Sequence, residues 1–178
     1  MNVGQQRWWI GGGVLAMAAG VGLFGGVLAA DKPAEDAAVV RTRKQVQMLD
    51  DLYKGVIVLI TDNYVTEEKD LAAGAAFKKV FEGMKKKGHH EVRLLDASGE
   101  PIDESNVAKD AFEKAAIAAL KTGKPYYEQI VEQDGKRYLR AATAIPVVMQ
   151  KCTICHPNYE SAKPGEPIGA LGYKLLID

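Results

Sequence analysis

The sequence predicts an α+β domain, an antiparallel sheet with helices packed to one side of it. Two segments before residue 88 repeat apolar residues at steps of three and four, the period of an amphipathic helix. Three later segments, 90–96, 126–133 and 137–145, are short and strand-like, and Asp134-Gly135 joins the last two as a hairpin turn. Hairpins and short connections favour antiparallel pairing, because a parallel neighbour requires a long crossover.

Residues 1–30 stand apart from that domain. "MNVGQQR" is a polar start with one positive charge, Arg7, and the 23 residues after it carry none. Val27-Leu28-Ala29 has the small-residue spacing read by signal peptidase, and Asp31-Lys32-Pro33 ends the run. This is the layout of a secretory signal peptide. The rival reading is an uncleaved anchor, since the apolar run is long enough to span a bilayer, and only that reading keeps the protein at a membrane. The glycines in the run favour cleavage. Either way, the chain from about residue 31 is expected to be periplasmic or otherwise exported.

Residues 31–45 read as a linker or helix start, and 46–178 as the folded domain. Val46, Leu49, Leu52, Tyr53, Val56, Ile57, Ile60 and Tyr64 form one helical face, which predicts a helix over about 36–65. A second helix should turn Leu71, Ala75, Phe77, Val80, Phe81 and Met84 inward, with Lys85–Lys87 at its negative end and Gly88 as cap. In the strand "HEVRLLD", Val92 and Leu94 face one way and Arg93 and Leu95 the other. "SNVAKDAFEKAAIAALKTGKP" predicts an amphipathic helix stopped by Gly123 and Pro125. "GALGYKLLI" reads as the last strand. With 23 basic and 23 acidic residues, no bulk charge attracts nucleic acid. Asp50-Asp51 and Glu67-Glu68 read as solvated helix surface.

The chemistry concentrates at "KCTICHPNYE", which holds the only two cysteines. A Cys-x-x-Cys bridge closes too small a loop to be a useful staple. A zinc clip wants four ligands, and only Cys152, Cys155 and His156 cluster here. A redox dithiol wants a strand-to-helix start in a βαβ setting, which is lacking. Cys-x-x-Cys-His is the attachment signature of c-type haem. Thiols three apart reach the two vinyl groups on one porphyrin edge, and the adjacent imidazole reaches the iron. The reading is one covalent haem c, with Cys152 and Cys155 as thioethers and His156 as proximal ligand. No nucleophile–base constellation or phosphate loop suggests an enzyme.

Beyond the motif, "HEVRLLDASGEPIDESN", "FEKAAIAALKTGKPYYEQIVEQDGKRYLRAATAIPVVMQKCTICHPNY" and "EPIGALGYKLLI" resemble one family over about residues 40–178. It is that of exported PAS-like single-haem c-type cytochrome domains, long grouped as a domain of unknown function. The resemblance implies a PAS-like or Cache-like sheet, a long N-terminal helix across it, and haem held by the late motif. Such domains occur alone or as sensory parts of membrane receptors.

The function turns on the iron's second ligand. Met48, on the long helix, is the leading protein candidate, although a Met at helical spacing is commonly core filler. His89 and His90 together rank with it, Met84 and Met149 are weaker candidates, and an open or water-filled site is favoured over all of them, in a distal pocket closed by Leu52, Val56 and Ile60. Arg93 and Arg140 are candidates for the haem propionates, against the plainer reading of solvent-facing strand residues. The expected function is sensing of redox state or of a diatomic gas, reported to a signalling or redox protein partner or through a homodimer. The alternative is a soluble periplasmic electron-transfer cytochrome.

Overall fold

Asp36 opens the first helix. Its carboxylate accepts from the Ala38 amide at 2.9 Å, satisfying an N–H that has no partner within the helix, and α1 (Ala37–Tyr64) follows. This computed structural model describes residues 34–67, 73–153, 159–163 and 165–178, and Ala34–Asp178 is one compact unit. The signal-peptide or anchor segment lies outside the described residues. Among the described residues, no helix is long and apolar enough to cross a membrane.

The register read from the sequence holds along most of α1. Val46 and Tyr53 are buried, and Leu49, Val56, Ile57 and Ile60 pack against the same core. Leu52 and Tyr64 depart from it and face solvent. In α2 (Ala73–Lys86) the buried stripe is Ala73, Phe77 and Phe81. Ala75 and Val80, expected inward, are exposed, because steps of four from Ala73 select a different face. The Gly88 amide closes the helix on the Lys85 carbonyl at 2.9 Å, at φ +76°, as the cap requires.

β1 (Glu91–Asp96) ends in a turn where the Asp96 carboxylate accepts from the Ser98 hydroxyl and the Gly99 amide. α3 (Ala111–Lys121) starts later than its amphipathic pattern suggests. Asp110 accepts from the Glu113 amide and fixes the start there, while Glu104–Asn106 form a separate 3₁₀ turn. β2 (Tyr126–Gln133) and β3 (Lys136–Pro146) form the expected hairpin, with Asp134 and Gly135 both at positive φ. β4 (Pro167–Leu176) completes a four-stranded sheet of order β1-β4-β3-β2, antiparallel throughout.

The expectation of helices on one side is corrected. Leu139, Ala141, Leu171, Tyr173 and Leu175 face α1 and α2, while Leu95, Ala142 and Ala170 meet Phe112, Ala116 and Leu120 of α3 on the opposite face. The second face was hard to read because it is lined by alanines, which fit beneath a helix without an apolar run. The architecture is α+β with a helix-covered antiparallel sheet, compatible with a PAS-like arrangement.

Candidate functional site

Pro146 ends β3 and Pro167 begins β4, and the connection between them carries the cysteine motif. Pro146 has no N–H to give a ladder, and the register shifts between Ile145 and Pro146. Gln150–Thr153 then form a 3₁₀ turn. Thr153 is buried and holds this turn together, its hydroxyl donating to the Gln150 carbonyl at 2.8 Å. The Cys152 amide donates to the Met149 carbonyl at 3.1 Å. Cys152 is half-buried with its thiol free.

The turn is moored to the C-terminal end of α1. The Lys151 ammonium donates to the Asp62 carbonyl, one of the carbonyls a helix end leaves without an N–H partner, and lies 3.8 Å from the Asp62 carboxylate. After the motif the chain passes β1. Burial, then the Asp96 carboxylate, push the Tyr159 phenol upward. Cys155 and His156 lie outside the described residues.

Apolar side chains accompany this end of the molecule. Val56, Ile57 and Ile60 lie within about 9 Å of Asp62 along the helix axis, and Ile145 adjoins Pro146 at the end of β3. With Leu94, all are only partly buried and pack on the core. A free thiol in a turn moored to this end of α1 would suit a large flat apolar group such as a porphyrin, which Cys152 and, from the sequence, Cys155 and His156 would hold. Val56 and Ile60 are partly buried against the core, whereas Leu52 is 56 % exposed.

The remaining candidates are not brought together with Cys152. Met48 is 63 % exposed on α1, about 21 Å along the axis from Asp62. The His90 ring is buried and hydrogen-bonded to the Tyr53 hydroxyl at 2.8 Å, near the Glu91 end of β1, about 20 Å along the strand from its Asp96 end. Burial, and after it the neighbouring His89, lower the His90 pKa. Arg93 and Arg140 lie on the α3 face. Arg93 grips the buried Glu113 carboxylate through Nη1 at 3.0 and 3.1 Å and donates to the Ser105 and Val107 carbonyls. Arg140 donates to Asp110 at 2.7 Å and stacks 4.2 Å over the Phe112 ring. Both line an open groove of about 580 Å³ that also meets Glu91 and Lys174, at the sheet end away from Cys152.

One polar centre under α1 escaped the sequence. Asp50, read as surface, accepts from Thr143 Oγ1 at 2.5 Å and from the Tyr173 hydroxyl at 3.0 Å. Lys54 Nζ bridges the Asp50 carboxylate and the Ala144 carbonyl at 2.9 and 2.8 Å. Burial, with Asp50 second, raises the Tyr173 pKa far above the ordinary phenol range. The one available signal was the Asp50–Lys54 spacing of i,i+4.

A family model for Tll0287-like proteins matches residues 31–175. The chain belongs to the Tll0287-like family. Tll0287-like chains are cytochrome c-like, and the match spans the whole β3–β4 connection with its Cys-x-x-Cys-His motif. A search of curated proteins gave no match. Membership in the Tll0287-like family agrees in kind with the cytochrome resemblance read from the sequence.

Proposed function

We propose that the chain is an exported single-haem c-type cytochrome that senses redox state or a neutral diatomic gas. The observation that carries this reading is the Cys152-to-His156 motif in a chain of a cytochrome c-like family, with its first cysteine free and moored beside the apolar end of α1. Cys152 and Cys155 would hold the haem, each thiol adding across a vinyl group, with sulfur bonding one vinyl carbon and the thiol proton going to the other. His156 would hold the iron through an imidazole nitrogen. Bound there, haem supplies an iron that changes oxidation state or takes a diatomic ligand.

Val56, Ile57 and Ile60 would exclude water and charged ligands from the distal side while admitting neutral diatomics. Met48 is exposed and far along the helix from the Cys152 turn, so it is not carried forward as the sixth ligand. Arg93 and Arg140 are engaged by Glu113 and Asp110, so they are assigned to the frame rather than to propionates. A near-neutral chain offers no steering field for a docking partner, which favours sensing over electron carriage. The reading includes no catalytic activity.

Optical spectra of the purified holoprotein, ferric, ferrous and ferrous with carbon monoxide, test it. The ferrous Soret band is expected to shift on adding carbon monoxide. A six-coordinate ferrous spectrum that carbon monoxide does not move would replace gas sensing with redox sensing or electron transfer.

A further inference from the structure

α1 carries a second apolar stripe, on the side turned away from the core. Met48, Leu52 and Leu59 are each more than half exposed, and Gly55 among them has nothing within 4 Å of the place a Cβ would occupy. Steps of four, three and four align these residues along about 17 Å of helix. Glycine weakens a helix interior, and its structural use is to admit the close approach of another backbone. Among the described residues, nothing in its own chain makes use of that freedom at Gly55.

We propose that this stripe is the seam of a homodimer in which two α1 helices pack antiparallel about a two-fold axis near residues 53 and 54. Such an axis sets Leu52 of one protomer over Gly55 of the other, a projection against a gap, and Met48 against Leu59. A two-fold interface must be self-complementary in this way. Charge selects the direction. Lys44 and Asp62 are both exposed and lie on the same flank of the stripe near its two ends. Antiparallel packing places Lys44 beside Asp62 twice, whereas parallel packing in register would set Lys44 beside Gln45 and Asp62 beside Asn63 and form no ion pair. On the other flank the same register pairs two uncharged polar residues, Gln45 and Asn63. The seam is shorter than a standard interface, so the dimer is weak and depends on concentration. It ends at Asp62, the residue that moors Lys151 and the Cys152 turn.

Sedimentation equilibrium of the exported, purified protein from micromolar to millimolar concentration tests this. The wild type is expected to fit a monomer–dimer equilibrium. Gly55→Trp should weaken association by at least about tenfold, with far-ultraviolet circular dichroism and thermal midpoint unchanged, because its side chain meets open space within the protomer. Lys44→Asp should also weaken it, and adding Asp62→Lys should restore it. A wild type monomeric throughout, a Gly55→Trp protein that dimerises normally, or a charge swap that restores nothing would each overturn the proposal. So would a Leu52→Arg protein whose visible spectrum changes while its sedimentation does not, since the stripe would then cover the prosthetic group.

Discussion

Asp50 shows how much one side chain can hold in this molecule. Its carboxylate takes hydrogen bonds from Thr143 and Tyr173, two core-facing residues of different strands, and an ion pair from Lys54. Asp50→Ala would leave the buried Tyr173 and Thr143 hydroxyls without their acceptor and Lys54 without its counter-ion. A loss of about 2–4 kcal/mol is expected, with Asp50→Asn milder because it keeps an acceptor oxygen; urea denaturation measures both. His90 makes a prediction in pH. Burial lowers its pKa below the ordinary 6.5, so the unfolded chain binds the proton more readily than the folded one. Its contribution is therefore fully present above about pH 6.5 and is lost as pH falls through the lowered folded-state value. Denaturation midpoints should drop between pH 7.5 and 5.5 in the wild type and flatten in His90→Gln. The carboxylates Glu91 and Glu128, lowered chiefly by Lys85 and by Arg43, act below 4.5 and leave this window clear.

Among the elements, α3 is fastened to the sheet by Phe112, Ala116 and Leu120 over an alanine-lined face and by one buried charge. Glu113 is 5 % exposed and relies on Arg93, the Lys109 amide at 2.7 Å and a more distant Arg140. Arg93→Met should cost about 2–4 kcal/mol, because it strands a buried carboxylate, and Arg93→Met with Glu113→Met should recover much of that loss. The visible spectrum of the holoprotein should not move in either variant, since these side chains lie away from the Cys152 turn. A shifted spectrum or potential would return Arg93 to the propionates. α1 is held differently, by Arg43 gripping Glu128 of β2 with two nitrogens at 2.6 and 2.9 Å. Gly169 shows why the seam of β4 is tight beside the motif, since a Cβ there would stand 3.0 Å from the Leu95 carbonyl oxygen.

For the molecule as a whole, what was legible in the sequence was local. The helical register of α1, the Gly88 cap, the Asp134-Gly135 turn and the period-two strands all depend on neighbours a few residues apart, and all appear in the structure. What was not legible depends on distant partners. Asp50 meets residues 93 and 123 positions away, so it reads as one more helix-surface charge. The α3 face was hidden because Ala142, Ala144, Ala170 and Gly172 carry no apolar bulk to announce it. The sequence offers Arg93 as a propionate candidate or a solvent-facing strand residue, because Glu113 declares itself a buried partner only once α3 is in place. The cysteine motif is read from five consecutive residues alone, three of which lie outside the described residues. The most direct test is haem retention. The protein is produced in a host with a cytochrome c maturation system, denatured, and extracted with acid acetone. Covalent attachment predicts that the haem stays with the wild-type polypeptide and that Cys152→Ala or Cys155→Ala weakens or abolishes retention; a colourless wild type, or haem that passes wholly into the acetone, would contradict it.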